Sequence, residues 1–167
     1  KLIAHLTTKE LLAVTAHEFG HHKYWHIPFL IITMLCALIW SNKLAILLGI
    51  DTANAFTLVS QLAIMVAAIF LVSRQFERQA DSYAAADLSS LRGSDVVTPD
   101  AAQTMASALG AIAEAQRINV TSNEPMHGSI ASRQQQLLSL VGCKIDSIPI
   151  YTTVKRIKFL LVILMIV

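Results

Sequence analysis

Charge is scarce in this sequence. Asp, Glu, Lys and Arg make up 14% of its 167 residues, against 54% hydrophobic residues, and the mean hydropathy is +0.57. Soluble domains carry nearer a quarter charged residues, so a disordered chain, a fibrous chain and an ordinary cytosolic domain are excluded. Cysteine is nearly absent. Cys36 and Cys143 lie far apart, and Cys36 sits in an apolar run, which leaves neither a disulfide framework nor a thiolate metal site. Net charge is only +2, and no cluster of basic and aromatic residues outlines a binding groove, so nucleic acid is excluded as a partner. Internal repeats and low-complexity tracts are absent. What remains is a membrane protein with some polar surface and room for one domain. The sequence begins at Lys1, with no initiator Met or signal-peptide pattern, and stops at Val167 inside an apolar run. It is therefore read as a fragment of a longer chain, and the total number of spans is not counted.

Local signals divide the chain. Lys1–Leu6 is strand-like. Thr7-Thr8-Lys9-Glu10 reads as a capping box that opens a helix running to about His26, with Pro28 as its breaker. Two apolar runs follow. Pro28–Ile50 is interrupted by Ser41-Asn42-Lys43, while Ala55–Val72 has no charge at all. Roughly 18 helical residues rise about 27 Å, close to the thickness of a hydrocarbon core. The pair is read as a transmembrane hairpin over 28–72 with its tip near Ser41–Asn54; the competing reading is a buried helical pair in a soluble core. Arg74–Leu91 becomes polar and helical. Thr98 and Pro99 start another helix, and Ser129–Val141 forms a short one closed by Gly142. Val154–Lys158 is basic, and 159–167 begins a further span.

The chemistry concentrates in His17-Glu18-Phe19-Gly20-His21, an H-E-x-x-H motif. Positions four apart share a helical face, so His17 and His21 can turn two imidazoles toward one ion. Imidazole nitrogen suits Zn²⁺, and a catalytic zinc site needs three protein ligands and one open position for water. Glu18 is then placed to take a proton from that water. For the third ligand, Glu77 stands out, just past the second apolar run. A hairpin returns the chain to the side it left, which carries Glu77 back to the two histidines. Asp81, four residues on, can accept a hydrogen bond from the far nitrogen of a ligand histidine. Taken without the histidine motif, Glu77 and Asp81 read as a solvated face pairing locally with Arg74 and Arg78. His22 points about 100° away from His21 and is not counted as a ligand. His5 reads as an ordinary surface or core histidine. His26 reads either as lining a pocket mouth or, the preferred account, with Tyr24 and Trp25 as part of an interfacial belt.

Three stretches occur in a telling order: Leu11–His21 with its H-E-x-x-H, Ser73–Asp81 with Phe-Glu-Arg-Gln-Ala-Asp, and His127-Gly128-Ser129-Ile130-Ala131-Ser132-Arg133. Together they resemble the integral-membrane zinc metallopeptidases that include the bacterial heat-shock protease HtpX and the CAAX prenyl protease. The resemblance spans about Thr7 to Val141. It implies a mainly α fold, a gluzincin-type helical metallopeptidase core with a transmembrane helical hairpin. The zinc-binding helix is 7–26 and a second catalytic part is 73–142. It implies one Zn²⁺ per chain held by His17, His21 and Glu77, with Glu18 as general base and Asp81 behind the ligands. It further assigns His127 to steadying the tetrahedral oxyanion and Arg133 to anchoring the site or the substrate backbone. Gly128 stands where the family usually has proline.

The expected function is zinc-dependent hydrolysis of peptide bonds in a protein or peptide substrate, by a zinc-activated water with Glu18 as base. An intramembrane site-2-type protease is disfavoured, since Lys9, Glu10 and Lys23 make the motif helix too polar for a span. The alternatives kept are a sensor-transducer metalloprotease of the kind that answers β-lactams, and a non-catalytic membrane scaffold with a degenerate site. The expected setting is the lipid bilayer, as a multi-pass protein. Lys23, Arg74, Arg78, Lys155, Arg156 and Lys158 gather at the catalytic end, against Lys43 and Asp51 at the tip, so that end is assigned to the cytoplasm. Substrate identity and oligomeric state are not legible.

Overall fold

Thr7 opens the first helix as predicted. Its side chain accepts from the Glu10 backbone N–H, and the Glu10 carboxylate accepts from the Thr7 N–H, completing the capping box. The computed structural model describes residues 6–166, in which six α-helices follow one another. They are α1 Thr8–Lys23, α2 His26–Leu47, α3 Ala55–Ser90, α4 Pro99–Ala115, α5 Ile130–Ser139 and α6 Pro149–Ile166. A single 3-10 turn, Ile145–Ser147, precedes α6. Two isolated bridges occur and no strand is formed among the described residues, so the mainly α expectation holds. The strand-like reading of Lys1–Leu6, and with it His5, falls almost wholly outside the described residues.

The first helix ends earlier than predicted. α1 stops at Lys23, and Trp25 adopts a left-handed conformation, φ 55 and ψ 40, before α2 starts. Pro28 is not the breaker. It occupies the first turn of α2, where backbone N–H groups have no partner within the helix and the missing one is not needed.

α2 and α3 form the predicted hairpin, but with a shorter tip, 48–54. Ser41-Asn42-Lys43 stays helical, and its polar groups find partners, Asn42 Oδ1 accepting from Gln61 Nε2 of α3 at 3.5 Å. Ser41 Oγ donates to the Leu38 carbonyl, and the Lys43 ammonium lies 4.7 Å from the Trp40 ring centre. Only 17% of the apolar window of α2 and 6% of that of α3 is buried, so the described residues do not cover the pair as a soluble core would. These two helices are long and apolar enough to cross a membrane. α3 runs on without a break from its apolar half into the polar half that carries Glu77 and Asp81. α6 packs on α2 and α3 and turns Phe159, Leu160 and Ile166 outward.

Beyond the apolar half, α3 packs against α1, α4 and α5. The core there is built from small side chains, among them Ala13, Ala16, Ala84, Ala85, Ala101 and Ala108, filled in by Met105, Leu109 and Leu137. Small residues let helix axes come close. Gly20 is the tightest point: a Cβ there would lie 3.1 Å from Tyr83 Cδ1 and 3.3 Å from Ala80 Cα. α4 starts at Thr98, whose side chain accepts from Ala101 N–H, as the sequence predicts. Ser129, read as the first helical residue, is instead the cap of α5, its side chain accepting from Ser132 N–H.

Candidate metal centre

The close contact of α1 with α3 brings the two histidines of one helix against the carboxylate of the other. His17 Nε2 and His21 Nε2 are 3.1 Å apart. Glu77 Oε2 is 3.7 Å from His17 Nε2, and Glu77 Oε1 is 3.5 Å from His21 Nε2. Ligand atoms at about 2.0–2.1 Å from a tetrahedral zinc lie about 3.3–3.5 Å from one another. The three measured edges bracket that value, so the donor set fits such an ion. His17, His21 and Glu77 are also the group able to hold a metal among the described residues. His22 is exposed and stands outside it.

Burial and charge prepare these groups differently. Burial, reinforced by the neighbouring His17 and His26, pushes the His21 pKa down to about 3, which keeps its ring neutral. Burial also works against charge on His17, but Asp81 and Glu77 outweigh it and raise its pKa. Burial raises the Glu77 carboxyl, although Arg133, His17 and His127 pull the other way. A buried carboxyl that is reluctant to ionise beside two imidazoles is what a cation would relieve.

Asp81 is almost fully buried, and its Oδ1 lies 3.0 Å from His17 Nδ1, in contact though not aligned as a full hydrogen bond. Arg133 Nε and Nη2 donate to Asp81 Oδ2 and Oδ1 at 2.7 Å each, and Arg133 Nη2 is 3.2 Å from Glu77 Oε2. Burial would raise the Asp81 carboxyl, but Arg133 and His17 offset this and hold it at about 2. Arg74 and Arg78 are not its partners. Arg74 Nε donates to the Pro125 carbonyl at 2.9 Å and Arg78 contacts Ser132, so the local-pairing reading of Glu77 and Asp81 is set aside.

The polar cluster forms one end of a cavity of about 900 Å³. Glu18 lines it and is exposed, so its carboxylate is open to water. Val14, Met105, Leu109, Ile112 and Ile130 form an apolar wall, and Trp25, Ile27 and Pro28 carry the lining to the start of α2. His127 sits on the loop before α5, half exposed, its Nε2 3.9 Å from Glu77 Oε1. Gly128 has φ 73, a value closed to proline, and its N–H donates to Glu124 O at 2.8 Å. The loop thus turns by a route that the family's usual proline does not permit.

Two residues of this cluster, His26 and Gln79, were not read as part of it from the sequence. His26 does not turn outward as a member of an interfacial belt would. It is buried, with Nδ1 2.9 Å from His21 Nδ1 and Nε2 2.9 Å from Gln79 Oε1. On an unbroken helix it would point about 140° from His21; the turn at Trp25 folds it back.

Two histidines of α1 and a glutamate of α3, meeting at one point beside a cleft, mark the class: a helical metallopeptidase. Residues 1–140 match peptidase family M48, and the chain belongs to that family. The match bears out the resemblance drawn from the three motifs. No curated protein and no solved structure matches the chain.

Proposed function

We propose that this protein is a zinc-dependent membrane metalloendopeptidase. The observation that carries the reading is the convergence of His17 Nε2, His21 Nε2 and the Glu77 carboxylate, 3.1 to 3.7 Å apart, at the end of a cavity lined by Glu18. His17, His21 and Glu77 would hold one Zn²⁺ per chain. When bound, that ion supplies Lewis acidity toward the scissile carbonyl and makes water acidic enough to ionise near pH ~7.

The chain's own groups do the rest. Glu18 takes a proton from the attacking water and delivers it to the leaving amine; it is no ligand, so it is free to move. His127, at the open edge of the cleft, donates toward the oxygen on which negative charge develops. Asp81 steadies His17, and Arg133 ties Asp81 to Glu77, so the two carboxylates keep their spacing. The substrate is a protein or peptide. The protein is read as multi-pass in the bilayer, with the catalytic end cytoplasmic, because the cationic residues gather there rather than at the hairpin tip.

The test compares wild type with Glu18→Gln. Zinc content by elemental analysis should be equal in the two proteins. Cleavage of casein or a membrane-protein substrate should vanish in the variant, and in wild type treated with chelator. Full activity of Glu18→Gln would remove the assignment.

A further inference from the structure

We infer that His26 and Gln79 are a positioning pair for His21: a relay of two hydrogen bonds fixes its ring in the tautomer that turns a bare Nε2 toward His17 and Glu77. The inference deepens the metallopeptidase reading and rests on it for its purpose, though not for its test.

The relay follows from donor and acceptor counts. Gln79 Oε1 can only accept, so His26 Nε2, 2.9 Å away, carries the hydrogen. A neutral imidazole has one N–H, which leaves His26 Nδ1 as an acceptor. Its neighbour at 2.9 Å is His21 Nδ1; with no cation to share, two bare nitrogens do not approach so closely, so His21 Nδ1 donates. His21 Nε2 is left with its lone pair 3.1 Å from His17 Nε2, an edge that a shared cation rather than a proton would fill. With the opposite tautomer, His21 Nε2–H would donate across that gap and close the donor set to a cation. The two ligand histidines are thus set by different devices, a carboxylate for His17 and an uncharged chain of side chains for His21.

The surroundings are built for this. His26 is 1% exposed and Gln79 3%, so water does not compete for either bond. The His26 ring lies on Phe76, 4.4 Å between centroids and 5° from parallel, which fixes its plane. The backbone gives way as well. Trp25 takes φ 55, which side-chain-bearing residues rarely adopt, and this turn brings His26 back against α1. The Lys158 ammonium of α6 bonds the Tyr24 carbonyl at the break, and its Nζ is 5.3 Å from the centre of the Phe76 ring.

The experiment uses the full chain in detergent micelles, labelled with ¹⁵N at histidine and stripped of metal above pH 7. Free imidazole side chains favour the Nε2–H form; His21 should appear as Nδ1–H. His26→Leu should return His21 to the Nε2–H form and release zinc about 10- to 100-fold more readily in chelator competition. His26→Asn, whose carbonyl oxygen stands close to where Nδ1 stood, should restore both, which a merely space-filling role would not predict. Gln79→Met, of matching shape, should shift both in the direction of His26→Leu and decides the matter if that variant does not fold. Wild-type His21 in the Nε2–H form would overturn the inference, as would folded variants with wild-type tautomer and zinc affinity. A wild type with Nδ1–H at His21 that takes up no zinc would uphold the relay and bring down the metallopeptidase reading instead.

Discussion

Replacing Gly20 by alanine sets two effects against each other. Alanine is the better helix former by about 0.8–1.0 kcal/mol, so local propensity favours the change. The added methyl would sit 3.1 Å from Tyr83 Cδ1 and 3.3 Å from Ala80 Cα, while carbon atoms prefer about 3.5–4.0 Å. Tyr83 has little room to turn, with Phe19 and Tyr24 beside it and Lys23 over its ring. Ala80 Cα is backbone, so α1 and α3 must part by a few tenths of an ångström. Overpacking of this kind costs about 1–3 kcal/mol. The net loss is about 1 kcal/mol, or about 3 °C in Tm for a chain of this size. The larger effect falls on the site, because Ala80 lies between Glu77 and Asp81 on the same helix. Moving it carries both carboxylates away from His17. Zinc affinity should fall about tenfold, near 1.4 kcal/mol. Competition with a chromophoric chelator measures this, and circular dichroism in detergent measures Tm. Gly110→Ala is the control: its Cβ would meet only the tip of the Gln134 side chain, at 3.2 Å. That variant should keep wild-type zinc affinity and gain stability. If both variants gain stability and both hold zinc as tightly as wild type, the close approach at Gly20 does not set the ligand geometry.

Arg133→Met should lower unfolding stability by about 3 kcal/mol, because it strands two buried carboxylates; a loss below about 1 kcal/mol in chemical denaturation would contradict this. Zinc affinity should fall with acid, beginning above the ordinary histidine range of about 6.5, because the raised pKa of His17 lets the proton compete sooner. The metal-free protein should behave oppositely at this group: the stability that charged His17 gains from Asp81 and Glu77 is present below about pH 6.5 and lost as pH rises through the raised value. Titrating zinc retention and unfolding across pH 5–9 checks both slopes. Arg74→Met should release the Pro125 carbonyl and loosen the His127 loop, lowering kcat/KM several-fold in a peptide assay while leaving zinc content intact.

Signals confined to a few neighbouring residues were legible in the sequence. Thr7 and Thr98 announce their helices through a side-chain oxygen followed by free N–H groups, and each does cap. The i, i+4 spacing of His17 with His21 and of Glu77 with Asp81 was equally plain, and the hairpin supplied their meeting. The break at Tyr24–Trp25 was not legible. It contains neither glycine nor proline, and the nearest breaker, Pro28, marks a helix start instead. His26 was misread for that reason alone. Its face is set by a backbone turn that only tertiary contacts hold in place. Arg133 is likewise invisible as the partner of Asp81, 52 positions earlier, without the resemblance to a family.

α3 is a rod of 36 residues, about 54 Å long, with no proline or glycine at which to hinge. Glu77 lies only about 8 Å past the end of its apolar stretch at Val72. One end of that lever is therefore greased and the other carries a carboxylate. With no hinge between the two halves, a tilt of the lipid-facing half is also a tilt of the half that carries Glu77.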